Sequence, residues 1–137
     1  MNGRSSKPRS CTIAEARDRL KLASDFLAAF DVLDLAEIPI GNDVLASNAI
    51  YAAIAAADAI CCARRQERSA SGNHNDVADL LKTIDKGLGD NLARVLGYKN
   101  DAAYGTRPTT DAEVKTCLRV AKQLVVAAQV AVQGARG

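Results

Sequence analysis

Apolar residues recur at intervals of three and four through most of this chain, and one stretch is apolar on nearly every side. The first periodic set is Ala16, Leu20, Ala23, Leu27, Phe30 and Leu33, with Arg17, Asp18, Lys21 and Asp25 largely on the other side, which predicts an amphipathic helix. Thr12 with Glu15 makes a capping box at its start, and Pro39 and Gly41 are expected to end it. The second stretch, Val44 to Ala63, holds nine alanines in twenty residues and no proline or glycine, so helix is again predicted. Apolar on nearly every face, this helix should be wrapped by the others, capped by Asn42 or Asp43 and running to about Glu67.

From Ser69 to Asp76 the composition is that of a loop, and Asn73 or Asn75 can start the next helix. That helix shows Val77, Leu80, Leu81, Ile84 and Leu88 on one face, with Gly87 and Gly89 weakening its end. A short helical piece from Asn91 to Leu96 is expected next, and then a turn-rich loop, GYKNDAAYGTRP. Thr110 and Glu113 form a second capping box, so the last long helix starts near Asp111. Its stripe is Val114, Cys117, Leu118, Ala121, Leu124, Val125, Ala128 and Val132, closed by Gly134. Four long helices with short to medium connections predict an all-α, antiparallel four-helix bundle. The sequence carries no strand-type alternation, internal repeat or glycine-rich phosphate loop.

The length of 137 residues fits one domain able to bury a core without staples. We assign residues 12–137 to that domain and residues 1–11 to a disordered basic tail. With 4% aromatics and no tryptophan, the core must come from Ala, Leu, Val and Ile. Arg4, Lys7 and Arg9 account for three of the 18 basic residues, which leaves 15 against 16 acidic ones in the body. A nearly neutral body does not suit a strongly electrostatic nucleic-acid binder. Ser47, Asn48 and Asp58 interrupt the apolar stretch, and alanine is barely hydrophobic, so no membrane span is expected. Cys11, Cys61, Cys62 and Cys117 make no C-x-x-C pair, and Cys61 and Cys62 point away from each other on a helix. Neither a zinc site nor a disulfide scaffold is expected, and with no signal-type apolar run after the basic start the expected setting is a reducing cytoplasm.

Three segments, AIYAAIAAADAICCARRQERSASGNH at 49–74, DVADLLKTI at 76–84 and AAYGTRPTTDAEVKTCLRVAKQLVVAA at 102–128, together resemble small actinobacterial-type HEPN-domain proteins. The resemblance spans roughly residues 13–133. It implies a small helical bundle and, for many members, metal-independent ribonuclease activity from an R-x4-6-H motif, with two copies brought together across a homodimer. Arg68 and His74, five residues apart between them, match that spacing. On this resemblance His74 is the general acid or base toward a ribose 2'-hydroxyl or the leaving oxygen, and Arg68 clamps the scissile phosphate. Ser69 stands where active members often carry a larger polar group, and other members act as non-catalytic binding or dimerisation modules.

Supporting roles fall to Asp58, Tyr51, Arg64 and Arg65. A charge in an alanine-rich helix needs a partner, so Asp58 either pairs with an arginine for structure or lies near a dimer seam and orients His74 or Arg68. Tyr51, seven residues earlier, either joins that network or packs its ring. Arg64, Arg65 and Arg68 either contact RNA or simply suit the negative pole of a helix end, and His74 either carries protons or helps cap the following helix. Two functions follow: a metal-independent endoribonuclease, as the toxin of a toxin-antitoxin or phage-defence pair, or a non-catalytic module that dimerises and binds a protein or nucleotide. The implied partners are a second copy of the chain, RNA or a nucleotide, and an antitoxin or nucleotidyltransferase; no cofactor is implied.

Overall fold

A computed structural model describes residues 7–100 and 107–135 in full, together with the helical backbone of 101–103. Among the described residues, five helices pack together: α1 (Ile13–Asp34), α2 (Asn42–Arg65), α3 (His74–Lys82), α4 (Lys86–Ala103) and α5 (Asp111–Gly134). Two short strands, β1 (Arg9–Ser10) and β2 (Glu67–Arg68), form an antiparallel ribbon. The described residues are therefore mostly helical, and the third expected helix, with Val77, Leu80, Leu81, Ile84 and Leu88 on one face, stops at Lys82, so that Leu88 belongs to α4.

α2 is the centre. Every residue from 52 to 62 is buried, because alanine side chains let α1 and α5 pack closely on α2 while α3 and α4 also contact it. By length and composition alone α2 is the described helix that would suit a bilayer, but 78% of its apolar window is occupied by protein neighbours. Residue pairs fix the directions. Cys11 meets Cys62, Arg19 meets Asp58 and Phe26 meets Tyr51, so α1 runs antiparallel to α2. Asn42 and Asp43 reach Thr109 and Asp111 at one end, and Cys62 clusters with Val132 at the other, so α2 and α5 run parallel.

The helix ends combine expected and unexpected chemistry. Thr12 accepts a hydrogen bond from the Glu15 amide, and Thr110 with Glu113 makes the reciprocal capping box. Neither Asn42 nor Asp43 caps α2, whose cap residue is Gly41; their side chains instead tie the start of α2 to the start of α5. α1 stops at Asp34, five residues before Pro39, leaving Leu35 and Ile38 exposed. α2 ends at Arg65 rather than Glu67. Gln66 adopts a left-handed conformation, φ 53°, and turns the chain so that Glu67 and Arg68 run back beside the bundle.

The ribbon corrects the disordered-tail expectation. Arg9 and Ser10 are strand residues, and Cys11 is buried in a disulfide with Cys62. No disulfide scaffold was expected, and this single bond is the departure from that; Cys61, next to Cys62 in α2, faces the main core with a free thiol, as does Cys117. Residues 1–6, with Arg4, lie outside the described residues.

Instead of a short piece from Asn91 to Leu96 and a loop, an unbroken helix runs through Gly87, Gly89 and Gly97, because Leu92, Val95 and Leu96 are buried along one side of it. Residues 104–106 of the expected loop lie outside the described residues. Gly89 is where α4 crosses the end of α3: a Cβ there would come within 2.7 Å and 2.8 Å of the Lys82 backbone N and Cα. Gly97, in the same helix, has open space. Gly89→Ala is therefore expected to lose about 1–3 kcal/mol despite its better helix propensity. Gly97→Ala is expected to gain up to about 1 kcal/mol. Urea midpoints of the pair test this, and equal shifts of one sign would show that the close crossing is absent.

Candidate functional site

The αL turn at Gln66 and the ribbon fold the chain back onto α1 and α2, so that Arg68 and His74 return to the level of Asp58. The ten residues that separate Asp58 from Arg68 are thus bridged within the single chain. A cleft of about 210 Å³ results, lined by Arg9 of β1, Arg19 of α1, Asp58 of α2, Arg68 of β2 and His74 of α3.

Asp58 sits at its floor, 6% exposed. Arg19 Nη2 donates to its Oδ2 at 2.8 Å. Burial pushes the Asp58 carboxyl above its ordinary range; the charges of Arg19 and Arg68, the Arg19 hydrogen bond and His74 pull the other way without cancelling it. Arg19 Nε and Arg68 Nε are both buried and have no hydrogen-bond partner. A buried guanidinium N–H without an acceptor is unusual enough to mark a place where an acceptor belongs.

The loop into α3 is built from its own polar side chains. Ser71 Oγ donates to Asp76 Oδ2 at 2.6 Å and accepts from the Asn73 amide at 3.1 Å. Asn73 Oδ1 accepts from the Asn75 amide at 3.0 Å and is the cap of α3. The cap role considered for His74 belongs to Asn73, and the imidazole of His74, first residue of α3, lines the cleft instead. Burial lowers the His74 pKa from its ordinary value; Lys99 and Arg19 lower it further, and Asp58 opposes them. The net direction favours the neutral imidazole, the form able to accept a proton.

Of the sequence candidates, Arg68, His74 and Asp58 meet. Tyr51, Arg64 and Arg65 do not line the cleft. The Tyr51 ring packs on Phe26 at 5.6 Å between centroids, with Lys99 Nζ 4.1 Å above it. It bears on the site only by holding Lys99. Arg65 donates to Thr83 Oγ1 at 2.9 Å and to Thr83 O at 2.7 Å, joining the ends of α2 and α3. Arg64 borders a separate apolar hollow of about 520 Å³ between α2, α4 and α5, which has little polar chemistry beyond Arg64 and Asp85.

Two cleft residues escaped the sequence reading. Arg19 lies three after Ala16 and four before Ala23, on the stripe that faces the core, and a charge on an apolar stripe is the signal that marks it. Arg9 was visible only as one charge of the basic tail, because its placement depends on the ribbon and the disulfide.

The arrangement can bind an anion. Three guanidiniums and one histidine face one carboxylate, and the cleft is smaller than the ~300 Å³ at which sites for whole small molecules begin. It fits a single charged group, such as a phosphate, with the rest of its ligand outside. Among the described residues no three His, Cys, Asp or Glu side chains gather in a cluster able to hold a metal ion. Compared with known protein families and with curated proteins, the chain is matched by no family model and by no curated sequence.

Proposed function

We propose that this is a HEPN-type protein of the cytoplasm whose cleft engages the phosphodiester backbone of RNA, and that it is a metal-independent endoribonuclease, as in toxin-antitoxin or phage-defence pairs. The observation that carries the reading is the convergence of Arg68, with its unpartnered buried Nε, and His74 on one cleft floored by the Arg19–Asp58 pair. Arg68 stabilises charge developing on the phosphoryl oxygens. His74, neutral when unliganded, takes the proton of the ribose 2'-hydroxyl as that oxygen attacks phosphorus; the protonated histidine of a second copy serves the leaving 5'-oxygen. Asp58 holds Arg19 and offsets the positive charge that His74 acquires. The homodimer belongs to this proposal, and the exposed Val126 and Val130, one turn apart on α5, are apolar surface suited to it.

The pH dependence has a definite shape. The base must be neutral and the second copy's acid protonated, so cleavage should follow a bell-shaped pH profile, and the lowered His74 pKa moves its optimum below the ordinary histidine value of about 6.5. His74→Ala should lower the cleavage rate by about 10²–10⁴-fold while the helical melt hardly moves. Purified protein incubated with total and structured RNA, with and without EDTA, tests both, and light scattering of the same samples tests the dimer. The expected result is EDTA-resistant cleavage that depends on His74 and Arg68. If wild type and His74→Ala leave the same background, the nuclease reading fails, and the cleft is left as the anion site of a binding module.

A further inference from the structure

We infer that Arg9 is a third cationic ligand of the cleft, held there by the Cys11–Cys62 disulfide, so that the oxidation state of this bond sets how tightly the cleft holds a phosphate group. The inference rests on the anion-cleft reading above and extends it.

The geometry of the ribbon places Arg9. It is the direct antiparallel partner of Arg68, and directly opposed residues project from the same face of a strand pair. Both line the cleft. Like charges opposed in this way repel, so the pairing needs something else to hold it: an anion between the two guanidiniums, a covalent tie, or both. The tie is the disulfide, two residues from Arg9. Other ties among the described residues are weak. A ribbon of two residues per strand is marginal alone, Cys11 N donates to Gln66 O at 2.8 Å, and Arg9 pairs with Glu15 at 3.5 Å through half-exposed side chains.

Cys11 borders an open hollow of about 580 Å³ at the start of α1, but it and Cys62 are both buried, so a reductant reaches the sulfurs when the short ribbon opens. The neighbouring Cys61 does not compete, because burial pushes its thiol up to about 12, and exchange needs a thiolate. In a reducing cytoplasm such a disulfide is a transient, responsive bond rather than a permanent staple. A dithiol opens it in two steps. One thiolate attacks a protein sulfur, forming a mixed disulfide and releasing the other cysteine; the second thiol then closes a ring and releases the first. Two electrons and two protons pass to the protein, leaving two cysteine thiols and a cyclic disulfide.

The test measures binding of a fluorescein-labelled 2'-O-methyl oligouridine, which lacks the attacking hydroxyl, by anisotropy. Oxidised wild type, wild type reduced with dithiothreitol, and Arg9→Ala in both states are compared, with Arg68→Ala as reference. In the oxidised protein Arg9→Ala should weaken binding about tenfold and lower the slope of log K against log salt by about 0.7, the signature of one lost phosphate contact. Reduction should weaken wild type to a similar degree and Arg9→Ala hardly at all. Equal weakening of both on reduction overturns the gating. Unchanged affinity and slope in oxidised Arg9→Ala, while Arg68→Ala weakens binding, overturns the role of Arg9 and leaves the cleft reading standing. If wild type does not bind, or Arg68→Ala binds as wild type does, the cleft reading and this inference fall together.

Discussion

Replacing Asp58 by alanine is expected to destabilise the fold by about 3 kcal/mol, near the lower end of the 3–5 kcal/mol typical of breaking a buried ion pair. The loss comes from what is left behind. The Arg19 guanidinium, about a quarter exposed and with its Nε already buried without a partner, would lose the acceptor at 2.8 Å, and the buried Arg68 Nε would lose its nearby counter-charge. Partial exposure of Arg19 lets water replace some of the lost interaction, which is why the low end applies. Asp58→Asn keeps an oxygen that can accept from Arg19 and should cost about 1–2 kcal/mol. Replacing both partners, as Arg19→Met with Asp58→Leu, should be close to neutral, because desolvating two charges consumes much of what their attraction returns.

The pH dependence of that comparison follows from the direction of the Asp58 shift. Its folded pKa is raised, so its favourable contribution relative to a non-titrating residue is fully present below the ordinary pKa of 3.8 and is lost as pH rises through the folded value. Asp58→Asn should therefore compare least well with wild type in acid, and the gap should narrow as pH rises. Urea midpoints at several pH values decide the matter. A cost under 0.5 kcal/mol for Asp58→Ala is what a surface position gives, and that result would remove the buried pair.

Asp58 also shows what a sequence discloses and what it withholds. A single acid among alanines on a helix wrapped on all sides has to be paired, so its burial and pairing with an arginine were legible. The partner was not, because Arg19 is 39 residues away and meets Asp58 only through the antiparallel packing of α1 on α2. The same division runs through the fold. The capping box at Thr110 and the alanine run of α2 are local signals, and both elements stand where they were expected. α4 was obscured by Gly87, Gly89 and Gly97, whose poor helix propensity is outweighed by the burial of Leu92, Val95 and Leu96. In the cleft, the Arg68 and His74 spacing was visible, whereas Arg9 and the left-handed turn at Gln66 follow from a two-residue ribbon too short to leave an alternating pattern.

Opening the Cys11–Cys62 bond is expected to have the other large effect. The bond closes a loop across a sequence separation of 51, and in the chain-entropy model a loop of that size restricts the unfolded ensemble by about 4 kcal/mol. Local packing adds little against this, since Cys11 and Cys62 share their small cluster with only Ala16 and Val132 among buried residues, and the rest of the core lies in α2 and its neighbours. The reduced chain should therefore remain folded but melt lower, by roughly 10–20 °C for a domain of this size. Cys62→Ala should melt with the reduced wild type and be insensitive to dithiothreitol. The control is thiol counting: denatured under non-reducing conditions, the protein should take up alkylating reagent at Cys61 and Cys117 alone, and at all four cysteines after reduction. Cys61→Ala should leave the reductant-dependent difference in melting in place, because its thiol, free in the main core, takes no part in the bond. Four alkylated cysteines before reduction, or coincident melts with and without reductant, would show that Cys11 and Cys62 are not joined and that the position of Arg9 rests on the ribbon alone.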